Sequence, residues 1–202
     1  MVKVAKLASR LNWRRTPDAD RMPRFFLFTD QERLPDPSDL LERLPRGAAV
    51  VLRHTDPAQL DALAQRVTPR AQALGLKVLL AGEVRAALKH RCDGVHLSQT
   101  RARRGPGRIT GLPPGFLVTA AAHDGASLRH AANAGADAVM LSPVFPTESH
   151  PRTPAFGALR FARLCAVSER PVIALGGITP GRTKRLNLGS AYGLAAIGAW
   201  RD

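Results

Sequence analysis

Between residues 25 and 197 the chain alternates short aliphatic and β-branched runs with stretches whose apolar positions recur at helical spacing. The runs predict strands over Phe25–Thr29, Ala48–Arg53, Lys77–Leu80, Gly94–Leu97, Leu117–Ala121, Ala138–Ser142, Val172–Leu175 and Gly193–Ile197. Between them the pattern predicts helices over Ser38–Leu44, Pro57–Leu74, Glu83–His90, Gly125–Ala134, Ala158–Val167 and Thr179–Leu188. Punctuation supports these limits: Pro57 suits a first helical turn, and Gly75 and Gly135 suit stops. Residues 100–114 are dense in Arg, Gly and Pro, so no regular helix is expected there. A Pro-rich loop is expected from Pro143 to about Phe156.

Eight strands in strict alternation with crossovers predict a closed (β/α)8 TIM barrel over residues 23–202. An open doubly wound sheet would more often use five or six strands, with a Gly-rich loop after the first. Few residues follow the eighth strand, so its customary final helix is expected to be truncated or missing. Residues 1–22 form an N-terminal extension in which Val4, Leu7, Ala8 and Leu11 make one apolar stripe at i, i+3, i+4 and i+7. This stripe is expected to be a helix packing beside strands one and eight, in the vacant place.

The 202 residues sit at the lower end of what such a barrel needs, roughly 200 and upward. With 45% apolar and 23% charged residues the composition is that of an ordinary globular domain. No apolar run approaches the roughly 20 residues of a membrane span, and no secretory signal is recognisable. Cys92 and Cys165, the two cysteines, have no metal or disulfide spacing, and a reducing cytoplasm is the expected location. The net charge of +14 admits a nucleic-acid binder or a solvated basic surface. The arginines read as scattered over nearly every helix and loop, and aromatics make up 5%, which favours the solvated surface. Either surface attracts small anionic substrates.

The sharpest local chemistry lies in Val172-Ile-Ala-Leu-Gly-Gly-Ile178-Thr-Pro. Two glycines leaving a buried strand let backbone N–H groups approach an anion, and a helix starting near Thr179-Pro180 would add its dipole. With Ala196-Ile197-Gly198 this predicts a phosphate site after strands seven and eight. A tight turn alone would also account for the glycines. In Leu141-Ser-Pro-Val-Phe-Pro-Thr-Glu-Ser-His150-Pro, Thr147 and Ser149 offer hydroxyl donors on a loop able to close over a ligand.

The series Gly94-Val-His-Leu97 with Gln99, then His123, Gly135-Ala-Asp137, Ser142-Pro-Val-Phe-Pro-Thr147 and Ala174-Leu-Gly-Gly-Ile178 resembles the thiamine phosphate synthase family and its thiazole tautomerase relatives, from about Phe25 to Trp200. The resemblance implies a barrel that holds a thiazole phosphate. It assigns Gly176, Gly177, Ile197 and Gly198 to the phosphate, Thr147 and Ser149 to the thiazole end, and Arg53 and Gln99 to the substrate.

Several positions depart from the pattern of the synthases, which join an aminopyrimidine pyrophosphate to the thiazole phosphate with Mg²⁺. Their Gln-x-Arg-x-Lys run after strand two is Val51-Leu-Arg53-His-Thr55 here, keeping only Arg. Their Asn-Asp pair after strand three corresponds to Ala81-Gly82, and a second metal-binding Asp falls at Arg101. Their Ser after strand five is Ala121, and a Lys in the strand-six loop is His150. Glu83 or Asp124 could compensate singly; together the losses remove both metal carboxylates and most pyrophosphate contacts. His123 remains at the position where the tautomerases use a His to move a proton and aromatise a thiazole carboxylate phosphate without metal. A helix cap or a solvated residue would equally explain a His there. His96 reads as a satisfied histidine of the barrel core, His54 and His150 as loop residues, and His90 and His130 as helical residues away from the mouth.

Three functions remain open: a thiazole-phosphate enzyme, as tautomerase through His123 or as atypical synthase; a catalytically degenerate phosphate-ligand-binding regulator; and a nucleic-acid-associated protein. The first is expected. Its partner is a small phosphorylated thiazole, with a homodimer allowed for and neither nucleic acid nor membrane expected. No cofactor or metal is expected, Mg²⁺ entering only if synthase activity is retained.

Overall fold

The computed structural model describes residues 22–104, 111–147, 153–186 and 190–197. Eight parallel strands close into one barrel in sequence order: β1 (Phe25–Phe28), β2 (Ala49–Leu52), β3 (Lys77–Ala81), β4 (Gly94–Leu97), β5 (Leu117–Ala122), β6 (Ala138–Leu141), β7 (Val172–Ala174) and β8 (Gly193–Ala196). The barrel is closed by β1 on β8, where Phe25, Phe26 and Leu27 pair with Leu194, Ala195 and Ala196. The expected (β/α)8 architecture is therefore correct.

Side chains of period two divide each strand between two cores. Phe26, Phe28, Val51, Leu79, Met140 and Ile173 fill the barrel interior. Leu27, Val50, Leu52, Val78, Leu80 and Leu141 face outward against the crossover segments. Parallel strands buried on both faces read as continuous apolar runs, which is why their sequence signal is clear. Phe26 and Leu27, adjacent and both fully buried, contribute about 1.5–3 kcal/mol each by burial. Acidic side chains join the strand starts: Asp93 accepts from the Val78 amide at 2.9 Å, and Asp137 from the Val118 amide at 2.7 Å.

The crossovers are a 3-10 helix (Ser38–Arg43) and α-helices over Pro57–Ala73, Val84–Lys89, Gln99–Arg104, Gly125–Asn133, Gly157–Val167 and Pro180–Thr183. Two expectations are corrected. A helix does form in the Arg-rich segment, over Gln99–Arg104, because its Gly and Pro residues begin only at Gly105. The helix expected over 179–188 is a single turn, capped by Thr179, whose side chain accepts from the Arg182 amide. The expected N-terminal helix lies outside the described residues. No helix among the described residues is long and apolar enough to cross a membrane.

The basic residues are spread along the chain as read, but the acidic ones are concentrated in its first half. Residues 25–93 hold ten Lys and Arg against nine Asp and Glu, whereas residues 94–202 hold thirteen against five. The first half pairs its charges: Arg66 with Asp36, Arg70 with Glu42, Lys77 with Asp93, Lys89 with Asp61. In the second half Arg103, Arg104, Arg129, Arg160 and Arg163 stand exposed on three consecutive helices. Counting arginines along the chain hid this, because the asymmetry lies in where the acids are.

Candidate active site

A cavity of about 980 Å³ opens at the C-terminal ends of the strands. It brings together Arg53 after β2, Gln99 after β4 and His123 after β5. Across the mouth stand Thr147 after β6, Gly176 and Gly177 after β7, and Ile197 after β8. Ser149 and Gly198, also expected in the site, lie outside the described residues, as does His150.

The turn after β7 is fixed by close backbone approach. Gly176 and Gly177 have φ of 93° and 62°, where a side chain is strained. A Cβ on Gly176 would lie 2.8 Å from Pro143 Cα, and one on Gly177 2.5 Å from the Pro146 oxygen. The loop after β6 is laced to this turn: Val144 donates its amide to Leu175 O at 2.9 Å, and Phe145 to Gly176 O at 3.0 Å. Arg182 completes the lacing, its Nη1 donating to Pro146 O at 2.9 Å and Gly177 O at 3.3 Å. The glycines thus make the tight turn read from the sequence, and both line the cavity. The one-turn helix that follows is too short to add much dipole, which corrects that part of the expectation.

His123 stands at the mouth, exposed and oriented. Its Nδ1 is 2.8 Å from the carbonyl oxygen of Ser142 and 3.3 Å from the Ser142 hydroxyl. A carbonyl only accepts, so this contact selects the tautomer with the proton on Nδ1 and leaves Nε2 as an acceptor. The following helix is capped by Asp124, whose side chain accepts from the Ser127 amide at 2.7 Å. His123 is therefore not needed as the cap, although its own amide donates to Ser127 Oγ.

At the cavity floor His96 behaves as the core histidine read from the sequence. It is buried, its Nδ1 lies 2.9 Å from Thr119 Oγ1, and Phe28 meets it edge-on at 5.2 Å. Burial, reinforced by the nearby Arg53 charge, lowers its pKa to about 4. Arg53 is itself engaged: Nη2 donates to Asp30 at 2.6 Å and Nε to the Thr29 carbonyl at 3.0 Å. Burial would raise the Asp30 carboxyl, but hydrogen bonds from the Arg33 amide, the Arg53 side chain and the Glu32 amide outweigh it and hold its pKa low. Arg33 and Arg182 also line the cavity, and the sequence reading missed both. Neither stands in a motif; only folding brings residues 149 positions apart to one mouth.

A family model for thiamine monophosphate synthase matches residues 26–200. The chain belongs to the thiamine monophosphate synthase family. It is 32% identical to a putative thiamine-phosphate synthase 2 of Aquifex aeolicus, over 87% of this chain and 96% of that one. It is 28% identical to a thiamine-phosphate synthase of Thiobacillus denitrificans, covering 94% and 84% of the two chains. Against the bifunctional thiamine biosynthesis protein of Symbiobacterium thermophilum, 31% identical, it spans 35% of the relative's length. Among solved structures, the thiamine phosphate pyrophosphorylase of Pyrococcus furiosus superposes with a TM-score of 0.67 at 18% identity over 89% and 87% of the chains, which shows the shared fold.

The Mg²⁺ used by synthases of the family does not fit the residues present here. A hard divalent cation requires several oxygen ligands. Arg101, at the position of one family metal ligand, is bonded to Glu83, so the carboxylate able to compensate is neutralised by a guanidinium. The other, Asp124, is committed to the helix cap. Among the described residues no group of three or more His, Cys, Asp or Glu side chains could hold a metal ion.

Proposed function

We propose that this chain binds a thiazole phosphate in the barrel mouth and aromatises a thiazole carboxylate phosphate tautomer by metal-independent proton transfer through His123. The observation carrying this reading is the orientation of His123 by the Ser142 carbonyl, which leaves Nε2 free to accept a proton. The two carboxylates that could stand in for the missing metal ligands, Glu83 and Asp124, are engaged by Arg101 and by the helix cap. An imidazole suits the shift because its ordinary pKa lies near neutrality and it can accept and then donate. In the proposed step Nε2 takes a proton from a ring carbon of the conjugated tautomer. The released electron pair aromatises the ring, and a proton returns at the exocyclic end, so substrate and product are isomers. The Ser142 carbonyl stabilises the transient imidazolium by keeping the Nδ1 proton hydrogen-bonded.

The ligand's phosphate is assigned to the turn at Gly176 and Gly177 with Ile197 beside it, and Thr147 to the thiazole end. Arg53 is held by Asp30 and provides less for a pyrophosphate than a free guanidinium would.

The test is a paired assay on the purified chain: aromatisation of the tautomer without metal, and thiamine phosphate formation from both synthase substrates with Mg²⁺. Aromatisation reduced roughly 10²–10⁴-fold by His123→Ala, with ligand binding retained, is the expected result. Synthase turnover would overturn the reading. Ligand binding without either reaction would instead establish the degenerate, regulatory barrel.

A further inference from the structure

The phosphate end of the cavity contains a cation that none of the assigned roles uses. Arg182 leaves the one-turn helix after β7 and reaches back over the Gly176–Gly177 turn. Its Nη1 donates to two carbonyls, one on each side of the cradle: Pro146 on the loop after β6 and Gly177 on the turn itself. A carbonyl lone pair aligns a guanidinium without neutralising it, and no carboxylate is paired with Arg182 among the described residues. The guanidinium is planar and carries five N–H donors, of which those two contacts use Nη1 alone. The remaining donors and the full positive charge stay at the cavity wall.

Resting on the phosphate site proposed above, we infer that Arg182 is the specificity-determining residue for a phosphorylated over an unphosphorylated ligand, supplying a pre-positioned charge where the helix supplies none. Elsewhere a phosphate-binding turn can draw on the dipole of a long helix behind it. Here the helix ends at Thr183, after four residues, so the favourable field must come from a side chain. Tethering also lowers the entropy lost on binding, since the guanidinium already stands in its working orientation before the ligand arrives. A lysine could supply charge but could not both hold the two carbonyls and turn a planar edge to the anion.

The test is calorimetric titration of the full chain and of Arg182→Gln and Arg182→Lys with three probes: hydroxyethylthiazole phosphate, hydroxyethylthiazole and inorganic phosphate. Arg182→Gln is expected to weaken both phosphate-bearing probes about tenfold or more and to leave the alcohol unchanged. Arg182→Lys is expected to recover part of the loss. Equal losses for phosphate and alcohol would mean that Arg182 only holds the loop in shape, and would overturn the inference; so would unchanged phosphate affinity in Arg182→Gln. Inorganic phosphate bound in an Arg182-dependent way without affinity for the thiazole phosphate would uphold Arg182 while refuting the thiazole ligand. A wild-type chain that binds neither phosphate probe would overturn both.

Discussion

Replacing Gly177 with Ala adds one methyl group at the point where two loops touch. At φ of 62° an alanine is strained by about 1–2 kcal/mol. The new Cβ would also stand 2.5 Å from the Pro146 oxygen, 2.8 Å from Phe145 Cβ and 2.9 Å from Arg182 Nη1. The guanidinium can swing away, but the Pro146 carbonyl and the Phe145 Cβ move only with the loop, and such overpacking costs about 1–3 kcal/mol. The sum, about 2–5 kcal/mol, corresponds to a fall in Tm of roughly 4–20 °C for a domain of this size. Gly181 provides the control: it lies in the neighbouring helical turn, with nothing within 4 Å of an added Cβ. Gly181→Ala is expected to change stability by less than about 1 kcal/mol, and in the favourable direction. Urea denaturation of both variants, read by far-ultraviolet circular dichroism, separates them. If Gly177→Ala unfolds at the same urea concentration as Gly181→Ala, the interlocked turn does not exist as described. If it is destabilised but binds inorganic phosphate unchanged, the turn supports the fold without forming the anion cradle.

Two further outcomes follow from the rest of the barrel. His96 has a pKa of about 4 when folded against about 6.5 when unfolded, so below pH 6.5 the unfolded chain binds a proton that the native chain refuses. Its burial should therefore remove stability as pH falls from 6.5 to 4, up to about 3 kcal/mol; His96→Gln should flatten that stretch of the stability curve, and an unchanged curve would refute it. Deleting residues 1–20 should lower the Tm by several degrees if their apolar stripe covers the β1–β8 side of the barrel, and identical melting of the shortened chain would disprove that packing.

Each strand of the barrel was legible to within one or two residues of its ends, because β-branched and aliphatic runs buried on both faces stay predominantly apolar even where His96 or Thr119 interrupts them. Gly94–Leu97 emerged with the limits read from the sequence. Helix limits were less legible: Gln99–Arg104 was hidden by the Gly and Pro residues that follow it, and the run after Thr179 carried no stop that placed its end at Thr183. At the site, the strand-end motifs located the cavity, since residues that end parallel strands must meet at one face. What the sequence could not supply was partnership. Glu83 and Asp124 looked available to a metal, and Arg53 to a ligand, until their neighbours were seen to be Arg101, Ser127 and Asp30. Two of these pairings, across 18 and 23 residues, depend on which side chains meet in space and no local periodicity encodes them, whereas the Asp124–Ser127 cap is local.

The bond between Arg101 and Glu83 also limits the routes by which such a barrel could change its chemistry. A single step from Arg101 to Asp would set two carboxylates side by side, with Asp124 still tied to its helix, and a lone pair of acids holds a divalent cation weakly. A step at Glu83 alone would remove the partner of Arg101 without adding a metal ligand. Each first move loses an existing interaction before any new one is complete. A metal site here would therefore take concerted changes at Arg101, at Glu83 and at the helix cap rather than one substitution.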